Sequence, residues 1–210
     1  MKPNILLIWI QWSGKWTQAR KIVESHGYAL FEAGTELRNI AKTDTPLWQE
    51  VKWILDAFLY VPARCLRDVV TEFIKNHTDT PILFDSGIRS HEQNDVIEPI
   101  LGEFIVIHLH LDESIAIDRL MHRRVDPITN EAFSPDFPWD INPKTGNTLI
   151  VRADDTLEWI KKRIQWSIDE TLPLIEVWEE HGHTIHHIDA NKSVDAVFAD
   201  ISNILSSYSH

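Results

Sequence analysis

Asn4-Ile-Leu-Leu-Ile-Trp-Ile-Gln-Trp-Ser-Gly-Lys-Trp-Thr-Gln-Ala19 is the stretch that decides the fold of this chain. Ile5 to Ile8 is an apolar run, predicting a buried parallel strand. A tight turn follows, then Gly14-Lys15, then a helix from Thr17 to His26 closed by Gly27. This is the layout of a phosphate-binding loop, G-x-x-x-x-G-K-[ST]. Its glycines let backbone N–H groups close round a phosphate, and its lysine reaches the outer phosphates. Gly14 and Lys15 are in place, but Trp9 stands at the first glycine and the hydroxyl comes one residue late, at Thr17 after Trp16.

Outward from this loop, strand and helix signals alternate. Tyr28–Phe31, Pro81–Asp85, Phe104–Leu111 and Thr184–Ile188 read as strands. Helices are predicted from Gly34 to Ala41, Thr45 to Ala57, Ala63 to His77, His91 to Leu101, Glu113 to Arg124 and Ser193 to Leu205. Asp155 to His181 reads as one long helix with a kink near Pro173. Asp126 to Thr148 is rich in turn formers and has no helical period, which predicts a small insert. The fold class is therefore α/β, a parallel sheet flanked by helices on both faces.

The composition sets limits. At 210 residues, 43% of them hydrophobic, the chain makes one domain with a sizeable core. No run of about 18 apolar residues is present, so no membrane partner is expected. No signal peptide is visible, and Cys65 is the only cysteine, which suits a cytoplasmic location and excludes an internal disulfide or a multi-cysteine zinc site. A net charge of −12 argues against non-specific nucleic-acid binding. With no exposed apolar stripe, a monomer is the expectation.

In open parallel sheets, ligands bind beyond the carboxyl ends of the strands. Lys15 and Thr17 fall there, at a helix N-terminus that favours an anion. Asp85 ends an apolar strand and is placed to hold Mg²⁺ through water, or to serve as a turn residue. Arg38, Arg89, Arg119, Arg123, Arg152 and Arg163 are the third group. Arg119 and Arg123 share one helix face, where like charges need an answer. Asp118, Asp154 or Asp155 could supply it, and so could a polyphosphate, whose oxygens match guanidinium forks. His183, His186 and His187 alternate in direction and lack a nearby acid, so no metal site is expected of them. No G-x-S-x-G elbow supports a serine nucleophile.

Taken in order, these residues resemble the adenylate kinases, and more broadly the nucleoside monophosphate kinases. The matches are Ser13-Gly-Lys-Trp-Thr-Gln-Ala19, Gly34-Thr-Glu-Leu-Arg38, Leu47-Trp48 through Val61-Pro62, and Asp85-Ser-Gly-Ile-Arg-Ser-His-Glu-Gln93. Asp118-Arg119, Arg123-Arg124-Val125 and Arg152-Ala-Asp-Asp155 with Arg163 complete the series. The resemblance implies a five-stranded P-loop kinase with core segments 1–30, 62–125 and 152–210, an acceptor-binding insert at 31–61 and a lid at 126–151. It implies transfer from ATP to AMP, giving 2 ADP with Mg²⁺. Ser13, Gly14, Lys15, Thr17, Arg119 and Arg123 would then bind ATP. Arg38, Val61, Arg89, Gln93, Arg152 and Arg163 would bind AMP. Lys15, Arg89, Arg119, Arg123, Arg152 and Arg163 would act on the transferring group, and Asp85 would position Mg²⁺.

The chain departs from that pattern at Trp9, Trp12, Trp16 and Trp48, which replace family glycines, and at Phe58, Ser86, His122 and Asn130. Nine tryptophans against seven glycines is an unusual balance. Three of those tryptophans are expected to crowd the phosphate cradle. As written, the loop leaves open a nucleotide-kinase-like protein with impaired or no catalysis. Ala33, where the family often has threonine, leaves open a different nucleoside monophosphate. A gene that spells glycine with UGA, read instead as tryptophan, would account for positions 9, 12, 16 and 48. UGG codons at 9, 12 and 16 would exclude that origin.

Overall fold

A computed structural model describes residues 2–9, 15–40, 49, 52, 61–85, 87–129, 131–133, 137–151 and 155–208, and of Lys15 and Trp16 it describes the backbone. Strand β1 (Asn4–Trp9) runs into helix α1 (Lys15–His26), as the opening stretch predicts. Gly27, at φ +72°, ends α1 and donates its N–H to Val23 at 3.0 Å. Then come β2 (Ala29–Glu32), α2 (Ala33–Ile40), α3 (Ala63–Asn76), β3 (Ile82–Asp85) and α4 (His91–Ile97). The second half contains β4 (Phe104–His110), α5 (Glu113–Met121), β5 (Arg124–Val125) and β6 (Ala132–Phe133). It closes with α6 (Leu157–Trp166), α7 (Leu174–Glu180), β7 (Thr184–Asp189) and α8 (Val194–Ser207). The helix expected from Thr45 to Ala57 lies almost wholly outside the described residues.

Five strands form one parallel sheet in the order β2-β3-β1-β4-β7. Strand alternation sorts the side chains of β1 onto two faces. Ile5, Leu7 and Trp9 pack with α1, α5, α6 and α8. Leu6 and Ile8 pack with α2, α3, α4 and α7. The predicted doubly covered α/β sheet is thus present, with an apolar layer on each face.

The expected single helix from Asp155 to His181 is broken into two. Between α6 and α7, Ser167–Thr171 forms a π-helical turn, with Leu172 donating its N–H to Ser167 at 3.0 Å. Pro173 follows at the N-cap of α7, where its ring and missing N–H forbid continuation of the α6 ladder.

The 126–151 insert has no helix among its described residues. β5 and β6 pair antiparallel, and Val125 also bridges Ile150. The centre of the insert is a carboxylate instead of an apolar core. Asp126 is fully buried. Its Oδ1 accepts N–H bonds from Ile128 at 2.8 Å and Thr129 at 3.1 Å. Its Oδ2 accepts from Asn142 Nδ2 at 2.8 Å and from the Thr145 hydroxyl at 2.6 Å, and the Asn147 amide reaches both oxygens. Burial pushes this carboxyl up. The bonds from Thr145, Thr129, Ile128 and Asn147 outweigh burial and hold it well below the usual carboxylate range.

Candidate active site

β1 delivers the chain to the carboxyl edge of the sheet, and the first turn of α1 begins there with Lys15. Ser13 and Gly14 lie outside the described residues, as do the side chains of Lys15 and Trp16 and all of Trp12, Trp48 and Arg152. Thr17 is half-buried in the first turn of α1. Trp9 continues the Ile5, Leu7 face of β1 and is buried in the core beneath α1. The expectation that it crowds the cradle is corrected by strand parity alone.

Asp85 ends β3 and is 4% exposed, beside Leu7 of the neighbouring β1. A buried carboxylate at this edge, next to the strand that carries the loop, has the oxygen chemistry a hydrated Mg²⁺ takes.

The arginines divide between two sides of this edge. Arg123 follows α5 and is buried, and it grips Asp155 with two nitrogens, Nε donating to Oδ2 at 2.6 Å and the second amino group to Oδ1. Arg163, from α6, donates to the same Oδ1 at 2.7 Å. Of the three acids that could have answered these charges, Asp155 pairs with Arg123 and Arg163, and Asp154 lies outside the described residues. Asp118 sits instead beside His122, at 3.4 Å. Two guanidiniums thus share one buried carboxylate, which holds their donor forks in place. Arg119, on α5, is half-buried and makes no ion pair among the described residues.

On the other side, α4 starts at Ser90, whose hydroxyl caps it by accepting from the Gln93 N–H. Gln93 is 4% exposed, and its Oε1 accepts the Arg89 N–H at 2.9 Å. The Arg89 carbonyl accepts the Thr171 hydroxyl at 2.9 Å. The Arg89 backbone is therefore fixed at both ends while its side chain stays exposed. Arg38 is exposed on α2, its guanidinium lying over Gly34, where a Cβ would come within 3.3 Å. Val61 is half-buried against the core on the α3 face.

The expectation that His183, His186 and His187 lack a nearby acid is corrected for His183, whose Nε2 lies 3.2 Å from Glu98 Oε1. His186 Nε2 lies 3.0 Å from the Tyr208 hydroxyl, while His187 pairs with His108 across the β4–β7 ladder, Nδ1 to Nδ1 3.0 Å. His183 stacks on Phe104. No group of three or more metal-binding side chains occurs among the described residues.

A parallel sheet of this order, with a helix N-terminus and arginines gathered at its carboxyl edge, defines a P-loop phosphotransferase of the nucleoside monophosphate kinase type. The adenylate kinase family profile matches residues 10–183. The chain is 32% identical to the adenylate kinase of Geobacillus sp. (strain WCH70) over 96% of its length and 98% of that protein. It is 29% identical to the adenylate kinase of Bacillus subtilis (strain 168) and 30% identical to that of Shouchella clausii (strain KSM-K16), with 96% and 97% of this chain covered. The chain belongs to the adenylate kinase family, and it is an adenylate kinase-like phosphotransferase. Among the described residues no helix is long and apolar enough to cross a membrane.

The sequence pointed to Arg123, Arg163, Arg89 and Gln93, but left Asp155 as one of three candidate acids. It also missed the role of Thr171. Nothing in the spacing marks Thr171, whose partner is 82 positions away.

Proposed function

We propose that this enzyme transfers the terminal phosphoryl group of ATP to AMP, giving two ADP. The observation that carries the reading is the convergence of Arg123 and Arg163 on buried Asp155, together with an α4 N-terminus that holds Arg89 and Gln93. In this reading Ser13, Gly14, Lys15 and Thr17 receive the donor phosphates at the N-terminus of α1. Arg38 and Arg89 bind the acceptor phosphate, with Val61 and Gln93 against its base. With Oε1 taken by the Arg89 N–H, Gln93 has its Nε2 amide left to offer, a donor for an acceptor atom of the base. Asp85 would hold Mg²⁺ through water, and the ion would neutralise phosphate charge.

The reaction needs an acceptor phosphate oxygen in line with the γ-phosphorus, while the bond from that phosphorus to the β-phosphate oxygen breaks. Arg119, Arg123, Arg152 and Arg163 would neutralise the charge spread over the transferring group. Because Asp155 fixes two of these forks beforehand, little reorganisation remains at the transition state. The 126–151 insert acts as a lid that excludes water, so that hydrolysis does not compete. We assign residues 31–61 to acceptor binding, and the enzyme to a monomer in the cytoplasm.

A second acceptor is favoured by Ala33. It opens α2, half-buried, and offers no hydroxyl to a base. A coupled assay of ADP formation, with ATP against AMP, GMP, CMP and UMP, tests both readings. The fastest turnover is expected with AMP. Faster turnover with another monophosphate moves the assignment to that acceptor, and no turnover with any pair overturns the kinase reading.

A further inference from the structure

Gln18 lies in the first turn of α1 with 1% of its surface exposed. Its Nε2 donates to the Val194 carbonyl at 2.8 Å, across 176 positions of chain. Its Oε1 is buried and has no hydrogen-bond partner among the described residues. A side-chain amide can match a peptide group at two points, one donor and one acceptor. Here half of that pair is made, and the other half is a desolvated acceptor left open, an arrangement that calls for an explanation.

The surroundings supply one. Val194 opens α8, and the loop before it is held from the opposite side by β4 and the turn after it. Ala190 donates its N–H to the His110 carbonyl at 2.7 Å, and Asn191 Oδ1 accepts the Asp112 N–H at 3.2 Å. This loop leaves the carboxyl end of β7, two strands from β1, or about 10 Å along the edge. Phosphates seated at the start of α1 would place the rest of a donor nucleotide on the β4–β7 side, because Arg89 and Gln93 occupy the β3 side. Gln18 thus joins the helix at the phosphate end of the donor to the loop at its base end.

We infer that Gln18 is a positioning residue for the phosphoryl donor. It couples α1 to the 190–194 loop, and its open Oε1 takes a backbone N–H of that loop when the donor seats. The inference rests on the donor placement proposed above.

Gln18→Met removes both amide atoms at nearly constant volume. Steady-state KM for each substrate, the Tm of the free enzyme, and binding of ATP and of inorganic tripolyphosphate are measured. The donor KM is expected to rise tenfold or more, with the acceptor KM within twofold. The Tm of the free enzyme should change little, because removing the open buried acceptor offsets the loss of the Nε2 bond to Val194. Tripolyphosphate has no base end, so its binding should change less than twofold. An unchanged donor KM overturns the inference. So does a parallel rise of both KM values, or an equal loss of ATP and tripolyphosphate binding, since packing alone would do that. Should Gln18→Met not fold, Gln18→Glu, which also loses the Nε2 donor, gives the same split between the two KM values. Absence of turnover in the unsubstituted chain would instead count against the functional reading.

Discussion

At the residue scale, the site depends on one carboxylate. Asp155→Asn would remove the buried charge that Arg123 and Arg163 share, and breaking a buried pair from one side typically costs about 3–5 kcal/mol. The variant should lose stability of that order in urea and lose kcat more than it raises either KM. An unchanged kcat would mean that the two arginines do not act on the transferring group. His108 gives a pH signature. Burial, then His187 and His110, push its pKa down to about 4 from the ordinary 6.5. Folding therefore favours the neutral ring, so its contribution is whole above pH 6.5 and drains away as the pH falls toward 4. It amounts to about 3 kcal/mol in all, at roughly 1.4 kcal/mol per unit. Urea titrations from pH 7 to pH 4 should show this slope, and His108→Leu should flatten it. Trp9→Gly empties a core position and should cost about 3–5 kcal/mol. A neutral or stabilising result would mark the site as built for glycine and support the UGA origin. Arg123 was legible in the sequence because it shares a helix face with Arg119, where like charges demand an anion, and Arg163 only through the family resemblance. Gln18 was not, because its one bond spans nearly the whole chain.

At the scale of elements, the strands were legible from apolar runs, and the helices from period and caps such as Pro62 and Ser193. The 126–151 insert was legible only as an absence of period. What organises it is Asp126, whose partners come from Ile128 to Asn147 and carry no pattern a strand or helix would show. Asp126→Asn puts an NH₂ group among donors where Asn142 and Thr145 now find an acceptor. Amide exchange in 126–151 should quicken while exchange in the sheet strands stays as it was. Slowed or unchanged exchange would mean that the insert is held from outside itself. Because the folded carboxyl titrates below its ordinary value, its contribution is present above pH 3.8 and is lost only at still lower pH. Exchange in 126–151 of the unsubstituted protein should therefore be unaffected by this group at pH 5.

At the scale of the whole molecule, a chain of net charge −12 must take up polyanionic substrates through a local cluster of arginines. The Debye length falls from about 30 Å at 0.01 M salt to about 10 Å at 0.1 M. Distant acidic groups are screened over that range before cations close to a bound substrate would be. The kcat/KM for the nucleotides should therefore rise between these salt concentrations and fall beyond them. A steady fall from the lowest salt upward would mean that the arginine cluster governs encounter at every distance. The π turn at Ser167–Thr171 bears on the same two-sided site. Arg163, ahead of the turn, belongs to the Asp155 cluster, while Thr171, at its end, holds the Arg89 carbonyl. Each helical residue advances the chain by about 100° of rotation. The five-residue turn is thus a phase adjuster, setting the azimuth of one half of the site against the other. Loss of a single residue there would leave the Asp155 cluster ahead of the turn in place and swing Thr171 by about 100°, away from the arginine it steadies.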